Sequence, residues 1–252
     1  MSKDKNKFLA KYIFEVKLNE KNLFFIDKKG EILDSIIKNY KDLTQFALSE
    51  NLNRIDLKND NKDKSVVISW ENFGFQLDLI EDDFNFEKFK LFFDSFIKLL
   101  KSIDDVYTRD VKNLFRIGIR AVVVYCPHNK KTPELQNVYK TKFFNGFSSF
   151  EKIFNFNLSD FGVFAIEMVN PEDTKNKLKI DTGIISGKKD VSILLGNSYI
   201  NKIDKGFYLN MDFSNELPIF DTDKISYIDK VFNDNIKKMI DGFNNFKNII
   251  DE

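Results

Sequence analysis

Apolar positions along this chain change their period several times, and each change marks a boundary between elements. "YIFEVKL" (12–18) alternates apolar and polar residues, which predicts a strand. In "EILDSIIKNYKDLTQFAL" (31–48) the period becomes helical. Ile32, Ile36, Tyr40 and Leu43 recur at three- and four-residue spacing, and Leu33 and Ile37 widen the stripe, so one amphipathic helix is expected after the turn "DKKG". Three short strands follow, "RIDLKND", "KSVVISW" and "FGFQLDLI", separated by Asn/Asp/Lys and Gly turn signals. The strongest helical pattern is "NFEKFKLFFDSFIKLLKSI" (85–103), with Phe86, Phe89, Phe93, Phe96 and Leu100 on one face and Asn85 as N-cap. "NLFRIGIRAVVVYC" (113–126) then reads as a long strand ended by Pro127.

The same order returns in the second half. Residues 134–155 are helical in pieces, broken near Asn145-Gly146. Four strands are expected next: "FGVFAIEMV", "KLKIDTGIIS", "DVSILLGNSYI" and "GFYLNMDF". A last amphipathic helix carries Ile225, Ile228, Phe232, Ile236, Met239 and Phe243. The expected fold is therefore α+β: two similar halves, 1–108 and 109–252, each an antiparallel sheet with helices packed on one face. A TATA-binding-protein-like or helix-grip-like arrangement fits that order. No linker rich in Pro, Gly or Ser separates the halves, so they are expected to share one continuous sheet or core.

Composition adds three points. At 252 residues with 42% hydrophobic and 31% charged residues, the chain can bury a substantial core, and its 28 Phe predict one built from aromatic rings. The 39 basic residues are balanced by 39 acidic ones, which argues against a dedicated nucleic-acid binder, because phosphate neutralisation calls for a basic excess or stripe. One cysteine, Cys126, excludes an intrachain disulfide framework and suits a reducing compartment. Lys11, Glu15 and Lys17 interrupt the N-terminal apolar pattern, and no stretch reaches the ~18–20 apolar residues of a membrane span. The expected location is cytoplasmic, with no membrane partner.

The motif that most invites an enzymatic reading is Asp181-Thr182-Gly183 behind Ile180, the pattern of an aspartic-protease loop. Such a site needs two aspartates sharing a proton. No second DTG or DSG occurs; "FDTDK" has Asp223 where glycine is required, and "ILLG" (193–196) follows too closely to support the loop. Leu178, Ile180, Thr182 and Ile184 alternate with Lys179, Asp181 and Gly183, the pattern of a half-buried strand in which Gly183 marks a bulge and "SGKKD" turns a hairpin. His128, the only histidine, stands two residues from Cys126 with no further His or Cys to complete a zinc shell. The acids of "LIEDDF" (79–84) precede a helix, where carboxylates favour the helix dipole. Walker and GxGxxG loops are absent. No catalytic set, metal site or cofactor is expected.

The strand 113–126 carries the candidate binding residues. Arg116, Gly118 and Arg120 share one face, while Phe115, Ile117 and Ile119 take the other. Two guanidinium groups flanking a bare backbone position could clamp a carboxylate or phosphate. The competing reading pairs them with carboxylates on neighbouring strands, such as Asp78 or Asp212, on a sheet face left open by the helices.

From about residue 60 onward the chain resembles a sporadically distributed family of uncharacterised bacterial and archaeal proteins. Their strand motif R-x-G-L-R-Y-I-N is read here as Arg116-Ile117-Gly118-Ile119-Arg120-Ala121-Val122-Val123, with Ala121 and Val123 in place of Tyr and Asn. Their terminal x-L-x-L-D-I-D strand is matched by "FYLNMDF", which contains Asp212. The resemblance implies no established activity; the patchy distribution implies mobile loci of the toxin–antitoxin or anti-phage kind. The expected function is non-catalytic: a binding or regulatory protein that recognises another protein, or itself, through an open sheet face or edge. Two alternatives stay open, a nucleic-acid binder using the sheet face and a carrier of an apolar small ligand.

Overall fold

A computed structural model describes residues 7–18, 21, 23–48, 53–61, 64–81, 86–107, 114–127, 131–143, 163–169, 176–196, 199, 201, 203, 205–216 and 224–251. The first half runs β1 (Lys7–Leu18), α1 (Phe24–Asn39), β2 (Gln45–Leu48), β3 (Arg54–Lys58), β4 (Lys64–Ser69), β5 (Asn72–Glu81) and α2 (Phe86–Tyr107). The second runs β6 (Leu114–Cys126), α3 (Thr132–Phe143), β7 (Val163–Val169), β8 (Asn176–Ile185), α4 (Lys188–Leu194), β9 (Gly206–Glu216) and α5 (Lys224–Asp251). All described strands form one antiparallel sheet in the order β2-β3-β4-β5-β1-β6-β9-β8-β7. The first strand of each half, β1 and β6, therefore lies at the centre. The two pair from Lys7↔Cys126 to Lys17↔Arg116, with an irregularity only at Leu18.

Strand alternation assigns the two faces. On β1, Tyr12, Phe14 and Val16 are buried beneath helices, whereas Lys11, Ile13, Glu15 and Lys17 are half-buried on the other side. On β6 the helix-side residues are Ile117, Ile119, Ala121, Val123 and Tyr125. The helical layer is contiguous: α1 packs on α2, α2 on α5, and α5 on α3. Between sheet and helices the space is filled by rings. Phe96 of α2 lies 5.4 Å from Phe14 and 5.5 Å from Phe73 by ring centroids, and Phe93 lies 5.8 Å from Phe14. In the second half Phe143 of α3 meets Phe246 of α5 at 5.2 Å and Tyr139 at 5.3 Å. Phe93, Phe96 and Leu100 are buried as the helical stripe predicts; the side chains of Phe86 and Phe89, and Asn85, lie outside the described residues.

Two elements differ from the sequence expectation. The helix expected over 31–48 begins earlier, at Phe24, and ends at Asn39, while "QFAL" forms β2. Phe25 extends the stripe of Ile32 and Ile36, and Gly30 is absorbed inside the helix at an exposed position, at a cost of about 0.5–1 kcal/mol relative to alanine. Tyr40 leaves the helix at φ −132°, ψ 75°. The second difference is "DVSILLGNSYI", which is not a strand: it begins within α4, and "SGKKD" starts that helix rather than turning a hairpin. Asp190 in its first turn accepts from the Ser186 N–H at 2.9 Å and from its hydroxyl at 3.1 Å. Val191, Leu195 and Tyr199 are buried and Ile193 is 72% exposed, a spacing of four rather than two.

This segment matters because of where it goes. β4 and β5 are joined by a tight turn at Trp70-Glu71, but the equivalent β8–β9 connection carries α4 across the other side of the sheet. Val191, Leu195, Tyr199 and Ile203 cover Leu9, Val122, Val124, Ile185 and Tyr208, forming a second, smaller core. Lys11 Nζ donates to the Leu195 carbonyl at 3.3 Å at its margin.

Buried tyrosines make the fold alkali-sensitive. Burial pushes the Tyr40 and Tyr208 hydroxyls up to about 12, with the Asp181 and Asp190 charges adding to the shift at Tyr208. Burial raises Tyr139 as well, opposed by the Thr182 side chain, while its hydroxyl donates to the Thr182 carbonyl at 2.7 Å. A folded-state pKa above the unfolded value of ~10 means the folded state holds more protons across that interval. The stabilisation is complete below pH ~10 and is lost as pH rises through about 12. Thermal melts should show Tm falling across that window, with Tyr139→Phe flattening the fall. An unchanged slope in that variant would count against the assignment.

Candidate functional site

Beyond the patch covered by α4, the non-helical face of the central strands is polar, and the register lays it out in rows. Arg120 on β6 stands opposite Ile13 on β1 and Asp212 on β9, and Asp212 stands opposite Lys179 on β8. In the next row Gly118 lies between Glu15 and Ser214, with Lys177 beyond. The third row sets Arg116 between Lys17 and Glu216. The backbone thus brings Arg116, Gly118, Arg120 and Asp212 to one surface, as alternation along β6 and β9 requires.

Asp78 does not join them. β1 lies between β5 and β6, so Asp78 stands opposite Lys11 at the level of Val122, one strand away from the arginines. Its side chain lies outside the described residues. β5 is therefore not a strand neighbour of β6, as the pairing of Asp78 with an arginine supposed.

Asp212 is a register neighbour of Arg120, yet among the described residues no ion pair joins them. Arg120 instead donates from Nε to Asn210 Oδ1 at 2.9 Å, and Asn210 Nδ2 donates to Asp181 Oδ2 at 2.7 Å. Asn210 is only 4% exposed. A hydrogen-bonded chain therefore crosses from β6 through β9 to β8. Among the described residues neither Arg116 nor Arg120 has an ion-pair partner, in contrast to Arg54, whose Nε and Nη2 grip Asp56 at 2.8 and 2.7 Å.

The clamp imagined over Gly118 is altered by its neighbour. Glu15, directly opposite Gly118, accepts from Asn72 Nδ2 at 3.0 Å and lies 3.5 Å from Lys17 Nζ. One anion held by both arginines over Gly118 would meet that carboxylate. The Cα atoms of the two arginines are about 13 Å apart by the rise of the strand, and with Glu15 opposite the position between them they are better described as separate positions. Across the face each cation has an acid nearby: Lys177 lies 3.8 Å from Glu216, and Lys179 stands opposite Asp212.

Asp181 of the protease-like tripeptide sits mid-strand, opposite Ala165 on one side and Asn210 on the other. The β8–β9 ladder keeps its register through Gly183, so no bulge lies there. His128 and residues 82–84 of the acidic run lie outside the described residues. Among the described residues no group of three or more His, Cys, Asp or Glu is placed to hold a metal ion, and no helix is long and apolar enough to cross a membrane.

The sequence reading missed Asn210, Asp181 and Glu15 as members of this surface. Parity along "YLNMDF" would have put Asn210 beside Asp212, but the β6–β9 register that brings it to Arg120 is a tertiary fact. No family model matches the chain, and no curated protein matches it either.

Proposed function

We propose that this is a non-catalytic binding protein that docks another protein on the polar face of β1, β6, β9 and β8, with Arg116 and Arg120 as its principal contacts. The observation that carries the reading is that Arg116 and Arg120 are half-buried residues that form no ion pair among the described residues. A guanidinium that forms no ion pair within its own chain has donors left for an acid supplied by a partner, and arginine is a frequent interface anchor. The interleaving of acids and bases favours a protein over a nucleic acid: a polyphosphate backbone would meet Glu15, Asp212 and Glu216, whereas a protein presents charges of both signs.

The test uses the full chain and its Arg116→Ala/Arg120→Ala double variant as paired baits in extract from the host cell. A protein retained by the parent and reduced at least tenfold on the variant is the expected result. Equal retention by both baits, or a salt-sensitive mobility shift of single-stranded or duplex oligonucleotides with no protein retained, overturns the proposal.

A further inference from the structure

We infer that Arg120 is a prepositioned carboxylate receptor, held by Asn210 and Asp181, and that the group it takes is an Asp or Glu side chain of the docking protein, engaged end-on by its two Nη groups. This rests on the docking role proposed above and adds the chemistry of one contact.

A guanidinium binds a carboxylate either side-on through Nε and one Nη, or end-on through both Nη groups. Arg120 has its Nε committed to Asn210 Oδ1, which closes the side-on mode and leaves the end-on mode. The commitment is a fixed one. The Asn210 amide is buried, and its Nδ2 is held by Asp181 Oδ2 at 2.7 Å. Flipping that amide would set its NH2 against the guanidinium and its oxygen against the carboxylate, which are two repulsive contacts in place of two bonds. Asp181 thereby fixes Asn210, and Asn210 fixes Arg120, so little side-chain freedom is left to lose on binding. Asp212 beside it forms no ion pair with Arg120 among the described residues, so the Nη groups are not consumed from within. Asp212 and Glu15 also flank the position with negative charge. They tolerate a single carboxylate accompanied by a base and repel a run of phosphates.

The chain contains four arginines, so the Nε–Hε region of a 15N spectrum holds four signals, assignable by single Arg→Lys variants. Arg54 is an internal control, because Asp56 already occupies it side-on. Sodium acetate titrated against chloride at constant ionic strength should move the Arg120 signal saturably and leave Arg54 in place. In Asn210→Ala, the Arg120 Nε–Hε should exchange faster with solvent and the apparent acetate affinity should fall about fivefold or more, the scale of one ordinary hydrogen bond. Asp181→Leu, which keeps Asn210 but frees its amide to flip, should act in the same direction and serves if Asn210→Ala unfolds.

Acetate that moves Arg120 no more than Arg54 overturns the inference. So does equal acetate binding by parent, Asn210→Ala and Asp181→Leu, and that result leaves the docking role standing. Inorganic phosphate or a single-stranded oligonucleotide binding more tightly than acetate at matched ionic strength overturns the carboxylate assignment in favour of a nucleic-acid ligand. Equal retention of the captured protein by the arginine double variant, with the acetate result intact, sinks the docking role alone.

Discussion

Phe96→Ala should lower stability by about 3–5 kcal/mol, because a fully buried ring is lost together with the contacts around the cavity it leaves. Phe96 is 0% exposed, and its ring faces Phe14 at 5.4 Å, Phe73 at 5.5 Å and Phe75 at 6.4 Å. These rings belong to β1, β5 and α2, so the site joins the central strand to its covering helix. Because the neighbours are themselves large and packed on one another, they have little room to collapse into the gap, which favours the upper part of the range. At this chain length the loss corresponds to a fall in Tm of roughly 6–20 °C. Phe96→Leu, which keeps most of the volume, should cost far less. A calorimetric Tm for Phe96→Ala within about 2 °C of the parent would mean that the ring cluster does not carry the first-half core.

How far the chain could be read in advance depended on whether local pattern or strand order decided the question. Strict alternation in "YIFEVKL" and "FRIGIRAVVVY" assigned Tyr12, Phe14, Val16, Ile117 and Ile119 to the buried face before any contact was known, and Arg116, Gly118 and Arg120 to the opposite one. The antiparallel sheet covered by helices followed from the order of elements. The errors arose where two periods compete. "DVSILL" is rich in β-branched and aliphatic residues and reads as a strand by propensity, but Val191 and Leu195 point into one core at helical spacing. Pairing between strands was illegible for a different reason. Nothing local says that β1 separates β5 from β6, so Asp78 looked adjacent to the arginines, and Asn210 did not. The protease-like tripeptide shows both effects: its strand character was readable, while its role as the far end of the Arg120 chain depended on the β8–β9 and β9–β6 registers together.

Gly206→Ala should be destabilising out of proportion to the single methyl it adds, and it should disturb the arginine surface as well. Gly206 opens β9 where the chain returns from the α4 segment, at φ 159°, and a Cβ there would lie 2.7 Å from the Tyr125 carbonyl oxygen. That contact is with backbone rather than a side chain that can swing aside. Val124 Cγ1 and Cys126 Sγ, each 3.2 Å away, close the remaining directions. Relief therefore requires the start of β9 to move away from β6, and the cost should exceed the ~1–3 kcal/mol typical of overpacking a core. The same strand carries Tyr208 and Asn210 two and four residues on, and Asn210 reaches Arg120 across the β6–β9 ladder. A displaced β9 should therefore speed solvent exchange at the Arg120 Nε–Hε even in the fraction that remains folded. Gly196→Ala, at φ 100° but with nothing within 4 Å of the added Cβ, is the matched control. It should carry backbone strain alone and leave the Arg120 signal where it is. If Gly206→Ala folds at parental Tm, or if both variants shift Arg120 alike, the close approach of β9 to β6 at this point is not what sets the position of Asn210.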